Sequence, residues 1–132
     1  MLYLDASAIA KLVLPEPESE ALRAFLVGDE QRVSSVIVSV EVALAVRRAR
    51  GPAELVEWSR RTLEPVDLRL VDEEVIGVAQ RGAAIRTLDA IHLATALTLR
   101  EELSAFIAYD RRLLRAATEA GLTALSPGLS PA

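Results

Sequence analysis

Cysteine is absent from this sequence, which excludes disulfides and thiolate metal sites. Lysine and histidine each occur once, as Lys11 and His92, so the basic side chains are otherwise arginine. Aromatic residues make up only 4% of the chain. The core must therefore be built from Ala, Val, Leu and Ile, and no row of aromatic faces is present on which nucleic-acid bases would stack. No apolar run approaches the roughly 18 residues of a membrane span. The first residues carry no basic segment, and Asp5 interrupts the apolar start, so neither a signal peptide nor a membrane span is expected. A cytoplasmic location is the expectation that follows.

What is present is 132 residues with 52% hydrophobic composition, enough for one domain with a real core. Short apolar or alternating runs at 1–4, 32–35, 66–70, 105–109 and 122–125 predict strands. Helices are predicted over 7–14, from Pro17 to about Leu26, over 36–50, 52–63, from Asp72 to about Gly82, from Thr87 to Leu99 and from Asp110 to Ala120. Pro15, Gly28-Asp29, Gly51-Pro52, Glu64-Pro65 and Gly121 punctuate them. Alternating strands and helices imply an α/β domain over 1–126, with a mostly parallel central sheet flanked by helices. Residues 127–132, with two prolines and a glycine from Ser126 onward, read as a disordered tail.

Four carboxylates stand at odd places. Asp5 and Asp110 each follow an apolar strand, Glu41 lies inside the run Val36–Val46, and Asp89 opens the apolar stretch 88–97. Each has an ordinary alternative: helix capping for Asp5 and Asp110, a favourable first-turn position for Asp89, a buried pair with arginine for Glu41. A glutamate in so apolar a run costs several kcal/mol unless paired or bound to a cation. Together the four supply only oxygen donors, which suit a hard cation, Mg²⁺ or Mn²⁺.

The chain resembles the PIN-domain ribonucleases, and most of all the VapC-type toxins of bacterial toxin–antitoxin pairs. The resemblance rests on Leu4-Asp5-Ala6-Ser7-Ala8, Ser35 through Glu41, Arg86 through Ala94, and Tyr109-Asp110-Arg111-Arg112-Leu113, in the family's order. It implies a PIN-like fold and a metal centre formed by Asp5, Glu41, Asp89 and Asp110. It also implies a Mg²⁺- or Mn²⁺-dependent endoribonuclease that hydrolyses phosphodiester bonds, an RNA substrate, and a VapB-type antitoxin that blocks the site. One or two ions held by the carboxylates would activate water for in-line attack, so no nucleophilic side chain is needed. Ser7 and Arg86 are read as accessories: a hydroxyl beside Asp5, and a cation for either phosphate or an acid. His92 is read as a packed, hydrogen-bonded helix histidine and stands outside the site.

The formal net charge of −4 argues at first sight against an RNA partner, but it equals the charge of the four proposed ligands. Arg47 and Arg48 beside Gly51-Pro52, and Arg111 and Arg112 after Asp110, are candidate phosphate contacts. Apolar residues on early helices, Leu22, Phe25 and Leu26 or Leu55 and Trp58, are candidates for a homodimer or antitoxin contact. One position departs from the family's pattern: Ala108 stands where Ser or Thr is frequent. That departure supports the alternative of a catalytically silent PIN-like binding module. A receiver domain is disfavoured, because no acidic pair follows the first strand and no lysine follows the last.

Overall fold

Leu2–Leu4 (β1) is a three-residue strand, buried along its whole length, at the centre of a five-stranded sheet. The computed structural model describes residues 1–28 and 30–129. The remaining strands are Arg32–Ser35 (β2), Val66–Arg69 (β3), Ala105–Ile107 (β4) and Ala124–Leu125 (β5). Their order is β3-β2-β1-β4-β5, and every pairing is parallel. Seven helices join and cover them: Ala6–Val13 (α1), Ser19–Phe25 (α2), Val38–Arg48 (α3), Ala53–Leu63 (α4), Glu73–Arg81 (α5), Thr87–Thr98 (α6) and Arg111–Glu119 (α7). The α/β architecture expected from the sequence is the one observed.

Covering both faces explains why β1 and β4 show no polar alternation. Leu2, Leu4, Ala105 and Ile107 pack on one face with Ile9, Val38, Val42 and Val46 from α1 and α3. Tyr3, Val33, Phe106 and Ala108 pack on the other with Leu93, Ala96, Leu113 and Ala117 from α6 and α7. Tyr3 and Phe106 are cross-strand partners, and their rings stack with centroids 5.2 Å apart.

Several expectations shift in detail. Helix α2 begins at Ser19 and not at Pro17, because Glu16 and Glu18 turn back to bind Lys11 at 2.8 and 3.2 Å. Helix α6 is not capped by Thr87, which is already its first helical residue. Leu22 and Leu26 are buried in the core, so they are not docking residues; Phe25 and Trp58 are exposed. Strand β4 ends at Ile107, two residues early, because the chain there bends toward α1 and the Tyr109 N–H binds Ser7. Residues 127–129, assigned to a disordered tail, instead make contacts: the Pro127 carbonyl accepts from the Tyr109 hydroxyl at 2.7 Å, and Gly128 sits against Ala21. Asp29 and residues 130–132, the rest of that tail, lie outside the described residues. Among the described residues no helix is long and apolar enough to cross a membrane.

Candidate active site

The strand order locates the site before any side chain is considered. The chain leaves β1 toward β2 and β3, then crosses back to place β4 on the other side of β1. That reversal is a topological switch point, and in an open parallel sheet the crevice beyond the carboxyl ends of the strands at such a point receives ligands. Asp5 directly follows β1, and Asp110 follows β4 by three residues.

Asp5 is 3% exposed and caps α1. Its Oδ1 accepts from the Ala8 N–H at 3.0 Å and from the Ser7 hydroxyl at 2.7 Å. Oδ2 has no hydrogen-bond donor among the described residues. The capping alternative is therefore correct, and it occupies only one of the two oxygens. Burial raises the Asp5 carboxyl to about 6; Ser7, His92 and Ala8 oppose the rise, and Asp89 adds to it.

Asp110 repeats the arrangement. Its Oδ1 caps α7 by accepting from the Leu113 N–H at 3.0 Å, while Oδ2 receives Arg86 at 3.2 Å. Asp89 lies in the first turn of α6, and its Oδ2 is 3.5 Å from the Arg86 Nε. Desolvation raises the Asp89 carboxyl, Arg86 and His92 pull it down, and Asp110 and Glu41 push it up. Arg86 thus bridges two of the acids, the pairing expected as one of its two roles. A cavity of about 360 Å³ opens here, lined by Ala84, Ile85, Arg86, Asp89, Asp110 and Arg112.

Glu41 arrives from α3 on the opposite side of the sheet. Its partner is not an arginine: the His92 Nε2 lies 2.6 Å from its Oε1. Its carboxylate acts on Asp89 across the sheet, adding to the rise of that acid. His92 is packed and hydrogen-bonded, as expected, and its partner is one of the four acids. Its spacing three residues after Asp89 was the signal available in the sequence; the link to Glu41, 51 residues away, was not.

Ser7 takes a larger part than an accessory hydroxyl. Its Oγ donates to Asp5 and accepts from the Tyr109 N–H at 3.0 Å, tying the loop after β1 to the loop after β4. Ala108 is fully buried among Tyr3, Phe106 and Leu113. The hydroxyl between the two acid-bearing loops is thus that of Ser7. Arg112 lines the opening, with Arg111 exposed beside it on α7. Arg47 and Arg48 are not brought to it: they occupy the last turn of α3, about 9 Å along the axis from Glu41.

The donor set, carboxylate oxygens alone, suits a hard cation by chemistry. Among the described residues no three His, Asp or Glu side chains converge tightly enough to hold an ion; Arg86 spans Asp89 and Asp110, and His92 holds Glu41.

Comparison with known proteins accords with this geometry. The family model described as PIN domain matches residues 2–119. The chain is 40% identical to Ribonuclease VapC47 of Mycobacterium tuberculosis over 134 residues, covering 97% of this chain and 98% of that one. Among solved structures, the sarcin–ricin-loop-cleaving toxin VapC20 of M. tuberculosis superposes with a TM-score of 0.73 at 16% identity, over 96% of this chain and all of that one (100%). A toxin–antitoxin complex from Klebsiella pneumoniae gives 0.70 at 19% identity, over 96% and 98%. At such identities these two superpositions speak for the fold alone.

Proposed function

The chain belongs to the PIN-domain family, in its VapC branch, and from that membership we propose that it is a Mg²⁺- or Mn²⁺-dependent endoribonuclease, the toxin half of a toxin–antitoxin pair. The observation that carries the reading is the placing of Asp5 and Asp110 beyond the ends of the two strands that flank the switch point, with Arg86 pairing Asp110 and Asp89 and His92 holding Glu41. The name of the relative VapC47, a ribonuclease, supports the activity.

In this reading Asp5, Asp89, Asp110 and Glu41 hold the divalent ion. The ion, when bound, acidifies water and neutralises phosphate charge. Ser7 keeps Asp5 in place by donating to Oδ1, which leaves Oδ2 for the ion. Arg86 is 77% exposed and so is free to swing from its two acids to a phosphate oxygen. Arg112 stands beside it on the rim and takes a second phosphate. No side chain acts as nucleophile.

The complex from K. pneumoniae supports an antitoxin partner by analogy. A basic antitoxin side chain would enter the acidic opening in place of Arg86, and a homodimer would use exposed apolar residues such as Trp58. In the test, purified chain is incubated with RNA in Mg²⁺ and in EDTA. We expect cleavage only with the ion, and Asp5→Ala or Asp110→Ala lowers the rate at least about a hundredfold. Cleavage by these variants at the wild-type rate would overturn the assignment.

A further inference from the structure

Glu41 is held by a chain of buried groups that runs back into the core. The His92 Nε2 meets its Oε1 at 2.6 Å, and the other ring nitrogen, Nδ1, meets the Tyr3 hydroxyl at 2.7 Å. The imidazole and the phenol are both fully buried, and the two rings meet edge to face at 5.9 Å. Tyr3 is itself pinned by its stack on Phe106 across the β1–β4 pair.

The proton positions follow from the donor inventory. A carboxylate only accepts, so Nε2 carries the hydrogen toward Glu41. A neutral imidazole then has only Nδ1 left as acceptor, and the Tyr3 O–H is its donor. Every link therefore has one direction, from Tyr3 to His92 to Glu41.

We propose that Tyr3 and His92 are positioning residues of the acidic site, a buried relay that fixes the tautomer of His92 and thereby aims Glu41 at the ion. The proposal rests on the functional reading above. A flexible glutamate on the opposite layer from Asp89 would otherwise sample several rotamers, and the relay removes that freedom before the ion arrives. Hydrogen-bonded partners behind metal ligands are worth about 10- to 100-fold in affinity or activity. The relay also gives β1 a second task. It carries Asp5 at its end, and through Tyr3 it orients a second acid from the other side of the sheet.

Because His92 is the only histidine, its ¹⁵N–¹H long-range spectrum reports one imidazole without ambiguity. The full chain, freed of any partner, is examined by this spectrum, by Mn²⁺ binding and by RNA cleavage. Wild type is expected as the Nε2–H tautomer. Tyr3→Phe keeps the ring stack and removes only the hydroxyl; it should mix the tautomers and weaken Mn²⁺ binding several-fold. His92→Leu should weaken it about 10- to 100-fold. His92→Gln, whose amide can still donate to Glu41, should recover part of the loss, with the change falling in kcat more than in KM for RNA. Should wild type bind Mn²⁺ and cut RNA while Tyr3→Phe and His92→Leu match it, the relay is overturned and the function stands. Should wild type neither bind Mn²⁺ nor cut RNA, the functional reading itself fails and takes the relay's role with it.

Discussion

Asp5 caps a helix with one oxygen and leaves the other without a protein donor among the described residues, at the cost of burying a charge. Its carboxyl stands at about 6 in the folded chain, against about 4 when unfolded. Between those values the folded chain binds more protons than the unfolded one, so stability falls as pH rises through that window. Above it the penalty is at most about 3 kcal/mol. Asp5→Asn keeps an acceptor for Ser7 and Ala8 and removes the charge. It is expected to raise stability at pH 7 by about 1–2 kcal/mol, with little gain at pH 4, while abolishing RNA cleavage. Thermal melts at the two pH values check this, and an equal shift at both would sink it. Arg86 makes the complementary case. It is 77% exposed, so its pairs with Asp89 and Asp110 stabilise the fold by well under about 1 kcal/mol. Arg86→Ala should leave the melting temperature nearly unchanged, tighten Mn²⁺ binding, and raise KM for RNA. A variant with weaker Mn²⁺ binding would refute the view that Arg86 competes with the ion.

At the scale of elements, the site is the meeting of two strand-to-helix turns, β1–α1 and β4–α7, each carrying an acid that caps its helix. Ser7 is the only side chain that hydrogen-bonds both turns among the described residues. Ser7→Ala removes the donor to Asp5 and leaves the half-buried Tyr109 N–H without its acceptor. It should cost about 1–3 kcal/mol of stability and lower the cleavage rate, read by chemical denaturation beside an RNA assay. Unchanged stability would show that the two turns are held by other means. Arg111 and Arg112 occupy the first two positions of α7, where the helix dipole disfavours positive charge. Their placement is unfavourable for the helix and makes sense on the rim of an anion-binding opening. Element boundaries were the part least legible in the sequence. The apolar periodicity of 36–50 gave a helix, but Val36 still donates to Arg69 in the sheet, which delays α3 to Val38. Likewise Leu22 and Leu26 read as a free apolar stripe, and only packing against α1 revealed them as core.

For the whole molecule, a net charge of −4 and the carboxylates that Arg86 now pairs favour a partner that brings a basic side chain to them. Coexpressed with its antitoxin, the chain is expected to purify as a complex that does not cut RNA, and to cut once the partner is removed. Native mass measurement beside the cleavage assay decides this; a lone chain with no affinity for the partner would refute it. The sequence by itself determined the layered α/β fold, because buried parallel strands and amphipathic helices leave distinct apolar patterns in a linear chain. It also marked all four acids, because a carboxylate in an apolar run is conspicuous wherever the chain goes. Tertiary structure alone decided what those acids touch. Glu41 with His92, and Ser7 with Tyr109, are contacts across 51 and 102 residues. Such pairs are set by strand order and by which helix covers which face, and local sequence carries no record of either. The sequence likewise put Arg47 and Arg48 with the RNA contacts, and the direction of α3 carries them to its far end, away from the acids.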